Sequence, residues 1–96
     1  MISEREFLER ADLDRGTLEI WIREEWLVPN RAATERAFTE MDLARARLIH
    51  DLRHNMGVND EGLGVILHLI DQMHGLRRAL AEALASLRER TPPSGA

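Results

Sequence analysis

The chain has 96 residues, no cysteine, and 13 basic against 17 acidic side chains, for a formal net charge of −4. That length predicts one domain with a thin core, which a partner chain would help to complete. The missing thiols exclude disulfides and thiolate metal sites, and the acidic balance argues against a surface built to grip phosphates. A composition 44% hydrophobic and 31% charged fits a folded helical protein and not a disordered one.

Met1 to Arg10 is charged and lacks the apolar stretch of a signal peptide. The longest apolar-rich stretch, Leu63 to Ile70, is too short to span a bilayer. The expected setting is therefore the cytoplasm, with no membrane partner. Every basic residue is Arg, which carries no functional message here.

In chain order, Ser3 with Glu6 three residues later predicts a helix start, and a short helix should run to about Ala11 with Phe7 and Leu8 facing inward. Asp12-Leu13-Asp14 reads as a turn. Asp14 caps a second helix expected from Arg15 to Glu25, with Leu18, Trp21 and Ile22 on one face. Two short helices joined by a tight turn make a helix-turn-helix candidate. Trp26 to Pro29 should be extended, because Pro29 steers Val28 away from helix. A polar loop, Asn30 to Glu35, then leads to a second extended piece, Arg36 to Phe38. The two pieces could pair as a two-strand wing.

Thr39, with Asp42 as the acid of a capping box, starts a third helix with the stripe Leu43, Ala46, Ile49, Leu52 and Met56. Gly57 suits its end. Asn59 caps a fourth helix, expected from Asp60 to about Arg88, with Asp60 and Glu61 placed well for the helix dipole. Along it Ile66, Leu69, Met73, Leu76, Leu80, Ala83 and Leu87 step by three and four, the spacing of a coiled-coil seam. Leu63, Leu67, Ile70 and Leu84 widen that face. Gly62, Gly64 and Gly75 each weaken the helix by roughly 1 kcal/mol relative to Ala, which allows a bend near Gly75. The expected organisation is one domain, 1–96: a head at 1–56, a dimerisation helix at 58–90 and a disordered tail at 91–96.

The run from Thr17 to Arg31, Thr-Leu-Glu-Ile-Trp-Ile-Arg-Glu-Glu-Trp-Leu-Val-Pro-Asn-Arg, is similar to the start of the MerR-type winged-helix family. That family typically shows Thr-Leu-Arg-Tyr-Tyr-Glu-Arg-Glu-Gly-Leu-Leu and then Pro-x-Arg. Phe38 and Asp42-Leu43 resemble its wing aromatic and the opening of its next helix. The likeness covers roughly Ser3 to Leu69. It implies a mainly α fold, with a winged helix-turn-helix head and an antiparallel dimer made by the last helix. Three positions depart from it: Glu19 stands at a phosphate-contacting Arg, Ile20 at a Tyr, and Glu25 at a turn Gly. Residues 1–56 hold 9 Arg against 12 acidic residues. A reversed charge at a phosphate contact adds repulsion to a lost attraction.

Leu52-Arg53-His54, Gly62-Leu63-Gly64-Val65, and Leu67 to Asp71 with Leu76 beyond resemble the CbpM-like chaperone modulators, which look like MerR heads that abandoned DNA. The resemblance implies binding to the J-domain of a DnaJ-like co-chaperone (CbpA) and inhibition of its work with Hsp70 (DnaK). An acidic surface could cover a basic J-domain helix and speed encounter.

Candidate sites are few. His50 and His54 are an i, i+4 pair that could bind zinc, but no third ligand is evident near them, and a solvated role is the plainer reading. His68 and His74 do not share a face well. Glu24 and Glu25 point in different directions, and with Ser only at 3, 86 and 94 no nucleophile–base constellation appears. The Gly62-x-Gly64 pair lies within a helix, where it permits close packing and does not cradle phosphate. No enzyme activity, cofactor or metal is expected. Trp21 and Trp26 read as core and not as binding anchors. Beyond Leu76 the fourth helix runs away from a small head, so its stripe needs another chain, with self-association the main expectation. The partner surface is expected at Asp51, His54, Asp60, Glu61 and Asp71. The competing function is a MerR-type DNA-binding regulator using Arg15, Arg23, Arg31 and Arg36. Without either resemblance, the residues support a dimeric adaptor of unspecified partner.

Overall fold

A computed structural model describes residues 1–32 and 35–90. They form β1 (Ile2–Ser3), α1 (Glu4–Ala11), α2 (Arg15–Arg23), β2 (Asn30–Ala32), β3 (Glu35–Phe38), α3 (Glu40–His54) and α4 (Asp60–Arg90). The chain falls into two compact units, Met1–Gly64 and Val65–Ala96. The tail expected at 91–96 lies outside the described residues.

The helix starts follow from side chains that satisfy the first free backbone N–H groups. The Ser3 hydroxyl accepts from the Glu6 N–H at 3.2 Å, and the Asp14 carboxylate from Thr17 N–H at 2.6 Å. The Thr39 hydroxyl accepts from Asp42 N–H at 3.1 Å, while the Asp42 carboxylate accepts from Thr39 N–H at 2.8 Å, a complete capping box. Asn59 Oδ1 accepts from Gly62 N–H at 2.7 Å. A side chain at Gly62 would press on that cap, because an added Cβ would lie 2.9 Å from Val58 and 3.2 Å from Asn59. Gly64 and Gly75 face nothing within 4 Å, so only Gly62 permits a close approach. The fourth helix runs through Gly75 without interruption.

The second helix ends at Arg23, two residues before the expected Glu25. Glu25 has φ 61°, in the left-handed region, and cannot continue a right-handed helix. This is the position where the resemblance places a turn Gly. The third helix ends at His54, and Gly57 takes the left-handed conformation, φ 66°. Met56 therefore lies past the helix and is 70% exposed, outside the stripe expected to include it.

The expected two-strand wing requires correction. Trp26 to Pro29 is not a strand; Trp26 and Leu27 are buried core residues in an irregular segment, with the Trp26 carbonyl accepting from Arg45 Nε. The first wing strand, β2, forms instead out of the supposed polar loop, while β3 takes in the expected Arg36–Phe38 with Glu35 added: Asn30 pairs with Ala37, and Arg31 with Arg36. A third strand, β1, pairs antiparallel with β3 through Ile2–Phe38 and Ser3–Ala37, giving the order β1-β3-β2.

The core of the first unit is apolar throughout its described residues. Phe7 and Phe38 are fully buried and stacked, ring centroids 4.1 Å apart. Around them lie Leu18, Trp21, Trp26, Leu27, Leu43, Ala46, Ile49 and Leu63, all buried. Leu8 and Ile22 are half-buried.

Candidate functional site

The second helix and the third strand meet through charge. Glu19, on α2, holds Arg36, on β3, at 2.6 Å. The same guanidinium stands 3.5 Å from Glu4 at the start of α1, and Glu4 in turn lies 3.7 Å from Arg15 at the start of α2. Arg36 Nη1 is buried without a hydrogen bond, so its contact with Glu4 is an ion pair by distance only. Glu19, Glu4 and Arg36 are only partly exposed, so water screens them less than an open surface pair. Two of the four arginines that a nucleic-acid reading needs, Arg15 and Arg36, are thus paired with carboxylates of their own domain. Arg23 and Arg31 are exposed.

The expected partner residues fall in three places. His54, Asp60 and Glu61 are exposed and share a cleft of about 550 Å³ with Arg53, at the corner where α3 gives way to α4. Arg53 stands 3.6 Å from Asp60 across that corner. Asp51 lines a different depression, with Arg47 and His50, and accepts from Asn55 Nδ2 at 3.0 Å. Asp71 is exposed and belongs to the second unit. The corner therefore gathers three of the five.

His50 and His54 do lie side by side, ring centroids 4.3 Å apart. Among the described residues no group of three or more His, Asp or Glu is arranged to hold a metal ion. Trp21 and Trp26 are 2% and 5% exposed, as core residues should be, and cannot anchor a partner. Trp21 Nε1 is buried without a hydrogen-bond partner. Among the described residues no helix is long and apolar enough to cross a membrane.

Along the second unit the expected seam is open. Leu69, Met73, Leu76, Leu80 and Leu87 are each about half exposed or more, Ala83 is exposed, and Ile66 is half-buried. Leu84 beside them is 46% exposed.

Sequence reasoning singled out Glu19 as a charge reversal but not its partner. Arg36 lies 17 positions away, and no local spacing rule links a helix residue to a strand residue at that distance. Glu4, which the sequence reading does not single out, is the second missed member.

A family model described as MerR HTH family regulatory protein matches residues 2–85. No curated protein and no solved structure matches the chain significantly.

Proposed function

We propose a protein-binding role for this chain, which belongs to the MerR family of helix-turn-helix regulatory proteins: a modulator that occupies the J-domain of a DnaJ/CbpA-like co-chaperone and inhibits its stimulation of Hsp70 (DnaK). The observation that carries the turn from DNA to protein is the Glu19–Arg36 contact at 2.6 Å, backed by Glu4. Phosphate neutralisation supplies most non-specific DNA affinity, and it requires cations free to release counter-ions. Here one cation of the sheet, Arg36, is already paired with the helix that a helix-turn-helix protein would lay in the major groove, while Arg31 on β2 is exposed. The short motifs shared with CbpM-like modulators supply the choice of partner.

The corner at His54, Asp60 and Glu61, where Arg53 stands 3.6 Å from Asp60, is the surface assigned to a basic J-domain helix, with Asp51 of the same unit and Asp71 of the other as separate contacts. Complementary charge would raise the association rate and make binding salt-sensitive. The modulator works by occupancy and needs no cofactor, metal or covalent chemistry. Its setting is the cytoplasm, where such co-chaperones work.

Self-association completes the reading. The open seam from Ile66 to Leu87 would be covered by a second copy. Residues 60–75 carry Asp60, Glu61 and Asp71 and no Arg, whereas residues 76–90 carry four Arg and two Glu. Antiparallel pairing sets the acidic half of one helix against the basic half of the other. Residues 58–90 are thus the dimerisation element and 1–56 the head.

Calorimetric titration with a cognate J-domain at low salt is the test. Micromolar or tighter binding that weakens with added salt is expected; no heat at those concentrations defeats the proposal. Family membership favours a second reading, a DNA-binding regulator of the MerR type, and a salt-dependent shift of promoter DNA by the unaltered protein would establish it in place of the first.

A further inference from the structure

The third helix carries a pair of side chains that neither the core nor the ion pairs use. His50 and His54 lie one turn apart on α3, and their rings stand 4.3 Å apart, tilted by 37°. Spacing of i, i+4 sets both on one face of the helix. Both residues are exposed, and among the described residues neither ring takes part in a hydrogen bond or an ion pair. Their nitrogens are therefore open to a ligand from solvent.

The surroundings favour a cation. His50 shares a depression with Asp12 and Asp51, and His54 shares the corner cleft with Asp60 and Glu61. Arg47 and Arg53 line the same two hollows, and Arg53 stands 3.6 Å from Asp60. Four carboxylates thus outnumber two guanidiniums around the rings, and nearby negative charge lowers the energy of a bound cation.

We propose that His50 and His54 form an open two-nitrogen chelate for a divalent transition-metal ion of tetragonal preference, Cu(II) first and Ni(II) second, with water in the remaining positions. The pair does not suit zinc. A structural zinc takes four protein ligands and a catalytic one three, and among the described residues no group of three is arranged to hold a metal. Cu(II) and Ni(II) accept square arrangements of nitrogen and oxygen ligands, and Cu(II) heads the divalent series in affinity for a given nitrogen site. The ring separation points the same way. With metal–nitrogen bonds of about 2 Å, two imidazoles at a right angle set their centroids roughly 4.5 Å apart, and at the tetrahedral angle roughly 5 Å. The observed 4.3 Å lies nearer the first. Rotation about the ring torsion, which is broad for His, adjusts the tilt. A bound ion ties residue 50 to residue 54 and so clamps the last turn of α3, just before the left-handed turn at Gly57. The site belongs to this chain alone and depends on no partner.

The test is titration of the full chain with CuCl2 in a non-coordinating buffer at neutral pH, read by calorimetry and, on the loaded protein, by electron paramagnetic resonance. The unaltered protein should bind an ion through two imidazole nitrogens. His50→Gln and His54→Gln should each weaken that binding about tenfold or more, because each removes one arm of the chelate, and should lose the two-nitrogen signature. His68→Gln with His74→Gln should leave both readouts unchanged. NiCl2 and ZnCl2 should each bind more weakly than CuCl2. Circular dichroism reports whether the fold is kept. Equal affinity in the His50 and His54 variants, or a loss that follows His68 and His74 instead, means an adventitious surface ion only and overturns the proposal. Fewer than two coordinated nitrogens in the unaltered protein overturns the chelate whatever the variants do. Zinc binding as tight as copper overturns the choice of ion.

Discussion

Residues 1–64 and 65–90 differ in how they satisfy their apolar side chains. The first unit buries two stacked Phe, both Trp and a set of Leu and Ile, with no buried charged residue among those described. In the second, Leu67 alone is buried among the described residues, and every position from 71 to 90 is exposed, five large apolar ones among them. Burial of a Leu contributes roughly 1.5–3 kcal/mol, so the first unit gains from its own core while the second leaves part of such a gain unclaimed at several positions. A helix of 31 residues with an open leucine stripe is stabilised by what covers it more than by its own propensity. The two parts should therefore answer differently to the same kind of substitution.

The sharpest break is a cavity in the stacked pair. Phe7→Ala removes a fully buried ring that stacks on Phe38 at 4.1 Å. It should cost about 3–5 kcal/mol, read as a lower denaturation midpoint by Trp fluorescence, enough to leave so small a head partly unfolded. A loss below about 1 kcal/mol would mean that the core is looser than its burial implies.

The converse break spares the head. Leu76→Glu with Leu80→Glu places charge at seam positions that are 70% and 60% exposed in the single chain. The Trp fluorescence midpoint at dilute protein should hardly move, while sedimentation equilibrium should show self-association weakened by about a hundredfold, equivalent to about 2.7 kcal/mol. An unaltered protein that stays monomeric at high concentration would remove the dimer from the proposal and leave the stripe to a foreign chain.

Two smaller substitutions sharpen the account of the head. Thr39→Ala breaks the reciprocal cap that starts α3 and should cost about 1 kcal/mol. Glu25→Gly should act in the opposite direction. Glu25 holds φ 61°, a conformation that costs a side-chain-bearing residue roughly 1–2 kcal/mol. Gly relieves that cost but loses more chain entropy on folding, so a net gain of about 0.5 kcal/mol is expected in the denaturation midpoint.

These sites also show what the sequence discloses and what it conceals. Ser3, Asp14, Thr39 and Asn59 were readable as helix starts because capping is a local rule, satisfied within three residues. The α3 stripe was readable because helical spacing repeats. Non-local pairings were not. β1 is two residues long, too short to show any alternation, and exists because Phe38 and Ala37 offer it an edge. Trp26-Leu27 resembles a strand by composition but is apolar because it plugs the core. The same limit hid the Glu4–Arg36–Glu19 contact: each residue was visible, and only the fold brings them together. The left-handed turn at Glu25 was legible solely through the turn Gly that the MerR resemblance places there.

The smallest effect expected is on pH, and its sign is fixed by the direction of two shifts. The Asp14 carboxyl is held below its ordinary range mainly by the Thr17 N–H it accepts from at 2.6 Å. The Glu40 carboxyl is held down first by hydrogen bonds from Arg10, at 2.9 and 3.0 Å, which join α1 to α3, and the same contact raises Arg10. Both carboxyls bind protons less readily folded than unfolded, so the unfolded chain takes up more protons as acid is added. Their contribution is complete above roughly pH 4 to 4.5, the range in which unfolded carboxyls titrate, and is lost as pH falls through the lower folded values. Both carboxyls are exposed, so solvent screening keeps the loss modest. Glu40→Gln should flatten the fall in melting temperature between pH 5 and about pH 3, with little change at pH 7 beyond the lost contact. Both effects lie in the first unit, so the acid transition should follow Trp fluorescence. If Glu40→Gln leaves the fluorescence-detected acid transition unchanged, the Arg10–Glu40 contact does not carry the acid sensitivity of the first unit.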